Sequence, residues 1–77
     1  MPLNLIAFGQ LAGITGSSVV LNEALTDTDG LQVYLHKHYP ALLQLNYKIA
    51  VNKQIAQTNM PIIEGATIAL LPPFSGG

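Results

Sequence analysis

Apolar and polar positions along the chain fall into short blocks, some with strand period and one with helical period. Residues 3–8 (Leu-Asn-Leu-Ile-Ala-Phe) form a run of strand formers closed by Gly9, which predicts a first strand. Glycines at 9, 13 and 16 are dense enough to predict a loop over residues 10–16. Residues 17–21 (Ser-Ser-Val-Val-Leu) resume β character, and the two runs are expected to pair as a hairpin with a long connection.

Thr26-Asp27-Thr28-Asp29 then offers N-cap candidates, whose side-chain oxygens can satisfy the free N–H groups of a first helical turn. Leu31, Tyr34, Leu35 and His38 follow at i, i+3, i+4 and i+7, one face of a helix. Pro40 disfavours helical backbone at Tyr39 and should end it there. Residues 47–51 (Tyr-Lys-Ile-Ala-Val) alternate in part like a half-buried strand. Asn52-Lys53 reads as a tight turn, and residues 54–56 could pair back. Pro61 interrupts, residues 62–65 (Ile-Ile-Glu-Gly) look like a turn, and residues 67–71 (Thr-Ile-Ala-Leu-Leu) form the last strand.

Strands flanking one packed helix give an α+β layer architecture. If the first strand pairs with the last, the result is a mixed sheet of about five short strands with one main helix across it, the β-grasp arrangement. The expected organisation is one domain over residues 1–71 and an extended tail over residues 72–77.

Composition narrows the chemistry. With 49% hydrophobic residues in 77, the chain can build a core without disulfides or metal. The absence of cysteine excludes a disulfide framework, zinc thiolates and a cysteine nucleophile, so no side-chain thiol can carry sulfur chemistry. Three lysines, no arginine and four acidic residues give a net charge of −1, which lacks the basic footprint of a nucleic-acid binder. Sparse charge leaves part of the surface weakly polar, and such surface points to a protein partner. No apolar stretch approaches the roughly 20 residues that cross a bilayer. Met1-Pro2 leads into the first strand without a basic leader, so a cytoplasmic protein is expected.

Candidate side chains yield no self-contained active site. His36 and His38 are two apart on a helix and point in different directions, whereas helical metal pairs need i, i+3 or i+4 spacing. His36 is expected to be solvated and His38 partly packed, with no metal and no bound cofactor. Gly9, Gly13 and Gly16 lack the context of a phosphate loop and read as turn glycines. Ser17, Ser18 and Ser75 lack a nucleophile-elbow setting. Asp27 and Asp29 read as helix caps, Tyr34 and Tyr39 as packing residues.

What remains is Pro72-Pro73-Phe74-Ser75-Gly76-Gly77. Two prolines fix φ near −65° and donate no ladder hydrogen bonds, so the chain should leave the sheet at Pro72 in a stiff, extended form. Phe74 offers an apolar anchor, and Ser75, Gly76 and Gly77 have almost no side-chain volume. Extended, the segment from Leu71 to Gly77 spans roughly 20 Å, enough to enter another protein's active site. Glycines at the end let a narrow tunnel close around the backbone. The reacting group would be the Gly77 carboxylate. A carboxylate is a poor electrophile, so acyl transfer from it needs activation, and adenylation by an ATP-dependent partner followed by sulfur displacement of AMP would leave a thiocarboxylate.

At this point the chain resembles the small subunit of molybdopterin synthase, a family of ubiquitin-like sulfur carriers. The resemblance rests on the ending Leu71-Pro72-Pro73-Phe74-Ser75-Gly76-Gly77. It is supported by Phe8 with Gly16 eight residues on, by Val51-Asn52 before a turn, and by Pro61 with Gly65 before the last strand. It departs from the family pattern at Ala12-Gly13, where an Arg-Glu pair is common, and at Ala66, where an Asp is common. The resemblance implies that an adenylating enzyme of the ubiquitin-activating type uses ATP to activate Gly77, with Gly76 giving access and Pro72, Pro73, Phe74 and Ser75 meeting the partner. It further implies a heterotetramer in which the large synthase subunit supplies the catalytic side chains and passes sulfur to precursor Z. The alternatives from the residues themselves are a carrier for another pathway, such as the thiamine type, and a ubiquitin-like interaction module with an inert tail. The Pro72-Pro73 pair argues for molybdopterin, because thiamine-type carriers usually lack it.

Overall fold

A computed structural model describes residues 2–72. Strand β1 (Leu3–Ala7) turns Leu3, Leu5 and Ala7 inward and Asn4 and Ile6 outward, the period-two alternation that its sequence carries. It pairs antiparallel with β2 (Ser18–Leu21) and parallel with β5 (Thr67–Leu71). On the far side of β5 lie β3 (Lys48–Val51) and β4 (Gln54–Ile55), both antiparallel to their neighbours, giving the order β2-β1-β5-β3-β4. The first and last strands are thus adjacent and parallel at the centre, as expected for a β-grasp.

The main helix, α2 (Thr28–His38), begins where the sequence predicts. Asp27 is its N-cap, and its carboxylate accepts a hydrogen bond from the Gly30 N–H at 2.8 Å. Asp29 does not cap; it sits in the first turn, where a negative charge meets the positive end of the helix dipole. Leu31 and Leu35 are buried in the core, and Thr28 is buried against the segment that carries Asn59 and Met60. The helix stops at Tyr39 before Pro40, which opens a 3-10 turn (Pro40–Gln44) that the apolar pattern did not predict. Leu42 on that turn is wholly buried.

Residues 10–16 correct the sequence reading. They form a six-residue helix, α1 (Gln10–Thr15), where glycine density predicted a loop. So short a helix has little stability of its own, and burial of Leu11 and Thr15 holds it to the body. The glycines bracket it: Gly9 (φ 59°) and Gly16 (φ 97°) adopt positive φ at its ends, while Gly13 faces open space.

Asn52 and Lys53 turn the β3–β4 hairpin, both with positive φ (49° and 74°). That pair of dihedrals fits the type I′ turn favoured by strand twist. The Asn52 side chain also accepts from the Thr67 N–H at 2.9 Å, and its own N–H donates to the Thr67 carbonyl at 2.9 Å, fastening the turn to β5. Lys53 carries a Cβ where glycine is preferred. Lys53→Gly is therefore expected to raise stability by about 0.5–1 kcal/mol, read as a higher urea midpoint at unchanged m.

The segment that returns to β5 is strapped to the start of α2. The Asn59 amide donates to Asp27 and its carbonyl accepts from the Asp29 N–H, Met60 N–H donates to Thr28 Oγ1, and Ile62 N–H donates to the Thr26 carbonyl. Ile62 and Ala66 then enter the core. Among the described residues every buried side-chain nitrogen or oxygen has a hydrogen-bond partner.

Candidate functional site: the tail exit and the outer sheet face

Of the six tail residues singled out in the sequence, Pro72 is described. It is half-buried, directly after β5. Pro73, Phe74, Ser75, Gly76 and Gly77 lie outside the described residues. The chain therefore leaves the body from the central, most enclosed strand of the sheet, whose Ile68 and Leu70 are wholly buried.

Around that exit the sheet turns one face to α2 and the core and the other outward. Register places Ser18, Ile6, Ala69, Ala50 and Ile55 in one row across all five strands on the outer face. Alternation puts Val20 and Leu71 on the same side, and Phe8 follows where β1 ends. Phe8 is 46% exposed, Val20 55% and Ile55 49%, so the row is flanked by open apolar side chains. Among the described residues Lys48, opposite Leu71, is the one charged strand residue on this face. Asn4 and Thr67 add polar positions to this face and Ala50 is buried, so its exposed apolar side chains lie around the row, and with so little charge it is a candidate protein-docking surface. Sequence reasoning missed it because each strand contributes only one or two such residues. The alternation of residues 3–8 was the available signal, but strand pairing was needed to assemble the face.

The other candidates sort differently from expectation. His36 is half-buried and not solvated: Nε2 lies 2.7 Å from Tyr47 Oη, with the rings edge-on at 5.9 Å. His38 is exposed, with its ring against Tyr34 at 4.2 Å. His38 packs in part, as expected, while His36 departs from expectation because of Tyr47, which precedes β3 beside it and could not be placed from helical spacing. Burial raises the Tyr47 pKa above its usual 10.0, opposed by a hydrogen bond from Gln32. Tyr39 is half-buried against the core as expected. Among the described residues no three His, Cys, Asp or Glu side chains are grouped to hold a metal, and no helix is long and apolar enough to cross a membrane. Ala12 and Gly13 lie on α1, half-buried and exposed, and bring no charge to that surface. Ala66 is buried, with 3% exposure.

A mixed five-stranded sheet packed against one main helix, with the first and last strands parallel at its centre, defines a ubiquitin-like β-grasp protein. The crystal structure of SAMP1 from Haloferax volcanii has the same fold, with a TM-score of 0.76 over 100% of both chains at 21% identity. Residues 5–77 match the ThiS family, a match that runs through the terminal glycines. The chain belongs to the ThiS family of small ubiquitin-like sulfur carriers.

Proposed function

We propose that this chain is the sulfur-carrying small subunit of molybdopterin synthase. The observation that carries the reading is the ending Leu71-Pro72-Pro73-Phe74-Ser75-Gly76-Gly77 on the central strand of a carrier fold. The Gly77 carboxylate attacks the α-phosphate of ATP on an adenylating partner, and pyrophosphate leaves. A sulfide-level nucleophile then attacks the acyl carbon, and AMP leaves with the carboxyl oxygen. The resulting thiocarboxylate enters the large subunit, whose side chains direct sulfur to precursor Z. Gly76 admits the chain to a narrow site, the prolines keep it extended and Phe74 anchors it. The chain itself binds no cofactor in this scheme; ATP belongs to the activating partner.

The test is intact mass after incubation with the adenylating enzyme, ATP and a sulfur source. The expected product is heavier by the difference between one sulfur and one oxygen, and absence of that gain sinks the carrier chemistry. The thiamine-type reading keeps the same chemistry and is supported by the family match. Rescue of a thiamine-requiring strain, and not of a molybdoenzyme-deficient one, would decide for it.

The outer face serves as the docking surface in either pathway. Phe8→Asp places a charge among Ile6, Leu71 and the tail exit, and is expected to weaken partner binding by about 2 kcal/mol or more, typical of a central aromatic anchor. Calorimetric titration with the adenylating enzyme reads this. Unchanged affinity would place docking elsewhere.

A further inference from the structure

We propose that Gly9 is a positioning residue: it seats the Pro72 ring and so sets the heading on which the tail leaves the sheet. This rests on the carrier reading above, in which the tail must reach a partner's reacting group. Gly9 stands at φ 59°, ψ −136°, a backbone region essentially restricted to glycine. A Cβ built there would lie 3.3 Å from Pro72 Cγ, tighter than an ordinary van der Waals contact. The dihedrals require the glycine, and a Cβ there would also press on the proline ring and shift it by a few tenths of an ångström.

The seat is held from both sides. The Phe8 N–H donates to the Leu70 carbonyl of β5 at 3.2 Å. Leu11 N–H donates to the Phe8 carbonyl at 3.2 Å and Ala12 N–H to the Gly9 carbonyl at 3.1 Å, so α1 fixes the turn from its other end. The Pro72 ring fixes its own φ, and a following proline restricts its ψ to extended values. One ring contact thus sets the heading of everything after it. Five residues span at most about 17 Å, so a tilt of about 15° at Pro72 can displace the terminus by up to about 4 Å. Errors well below that already cost transfer rate when a reacting group must meet its partner.

Two measurements test this. The chain has no cysteine, so Ser75→Cys accepts a single nitroxide label, and broadening of amide signals reports where the tail points in the carrier alone. The broadened signals are expected to occupy one sector of the surface in the parent, to shift in Gly9→Ala and to spread in Pro72→Ala. An unchanged pattern in both variants overturns the proposal. In the adenylation assay both variants are expected to lose about tenfold in kcat, with the KM of Gly9→Ala within about twofold because that variant leaves every tail side chain in place and changes only the aim. The double variant should be no worse than either single variant within about twofold, because all three break one contact. Losses that multiply, or a rise in KM at unchanged kcat, overturn it. If Gly9→Ala does not fold, Pro72→Ala alone decides, because Pro72 has no N–H bond to lose. Should the unmodified chain fail to gain sulfur, the carrier reading falls while the label pattern still judges Gly9.

Discussion

Deleting Gly76-Gly77 is expected to abolish thiocarboxylate formation completely while leaving the folded body and its partner affinity nearly unchanged. The reasoning is chemical. In the proposed chemistry the acyl carbon that accepts sulfur is that of Gly77, and after deletion the terminus is Ser75, two residues short and carrying a side chain. Two residues shorten the reach by about 7 Å, several times the error that positioned acyl transfer tolerates. The strands and core that hold the body end at Leu71, so the unfolding midpoint should stay within about 1 °C, against the several degrees that 1 kcal/mol represents in a domain this small. Intact mass, a thermal melt and a binding titration on one preparation read all three quantities. Retained biological function after deletion would favour the interaction-module alternative, in which the outer face works alone.

Leu70→Ala is expected to have the largest effect on stability. Leu70 is fully buried in β5, beside Ala7 of β1 and Ile49 of β3, and its carbonyl accepts from Phe8 N–H. Truncating such a leucine costs about 2–5 kcal/mol, the transfer term plus the cavity left behind. Domain stabilities of about 0.05–0.15 kcal/mol per residue give a chain of this size about 4–12 kcal/mol in total. The variant therefore loses a large share of its stability, and the midpoint should fall by about 10–30 °C. Below the new midpoint the folded fraction should still accept sulfur, because the reacting group is untouched. A loss under about 1 kcal/mol in a denaturant titration would mean that neighbouring side chains collapse into the space. The two variants are complementary: one removes the chemistry and spares the body, the other weakens the body and spares the chemistry.

Local chemistry and period made much of this protein legible in advance. Alternation marked β1, the Asp27 cap and the Leu31–Leu35 spacing marked α2, and Asn52-Lys53 marked the hairpin. These signals are carried by near neighbours in the chain, so the sequence displays them directly. Other features needed the tertiary structure. Residues 10–16 became a helix because burying Leu11 outweighs the cost of Gly13, a balance that glycine counting cannot weigh. His36 became the packed histidine because Tyr47, eleven residues away, came beside it. The outer apolar row exists only through register across five strands, and the proposed Gly9 seat only because β1 and β5 run parallel and end together. Each of these depends on residues far apart in sequence, whose proximity is decided when the whole core closes.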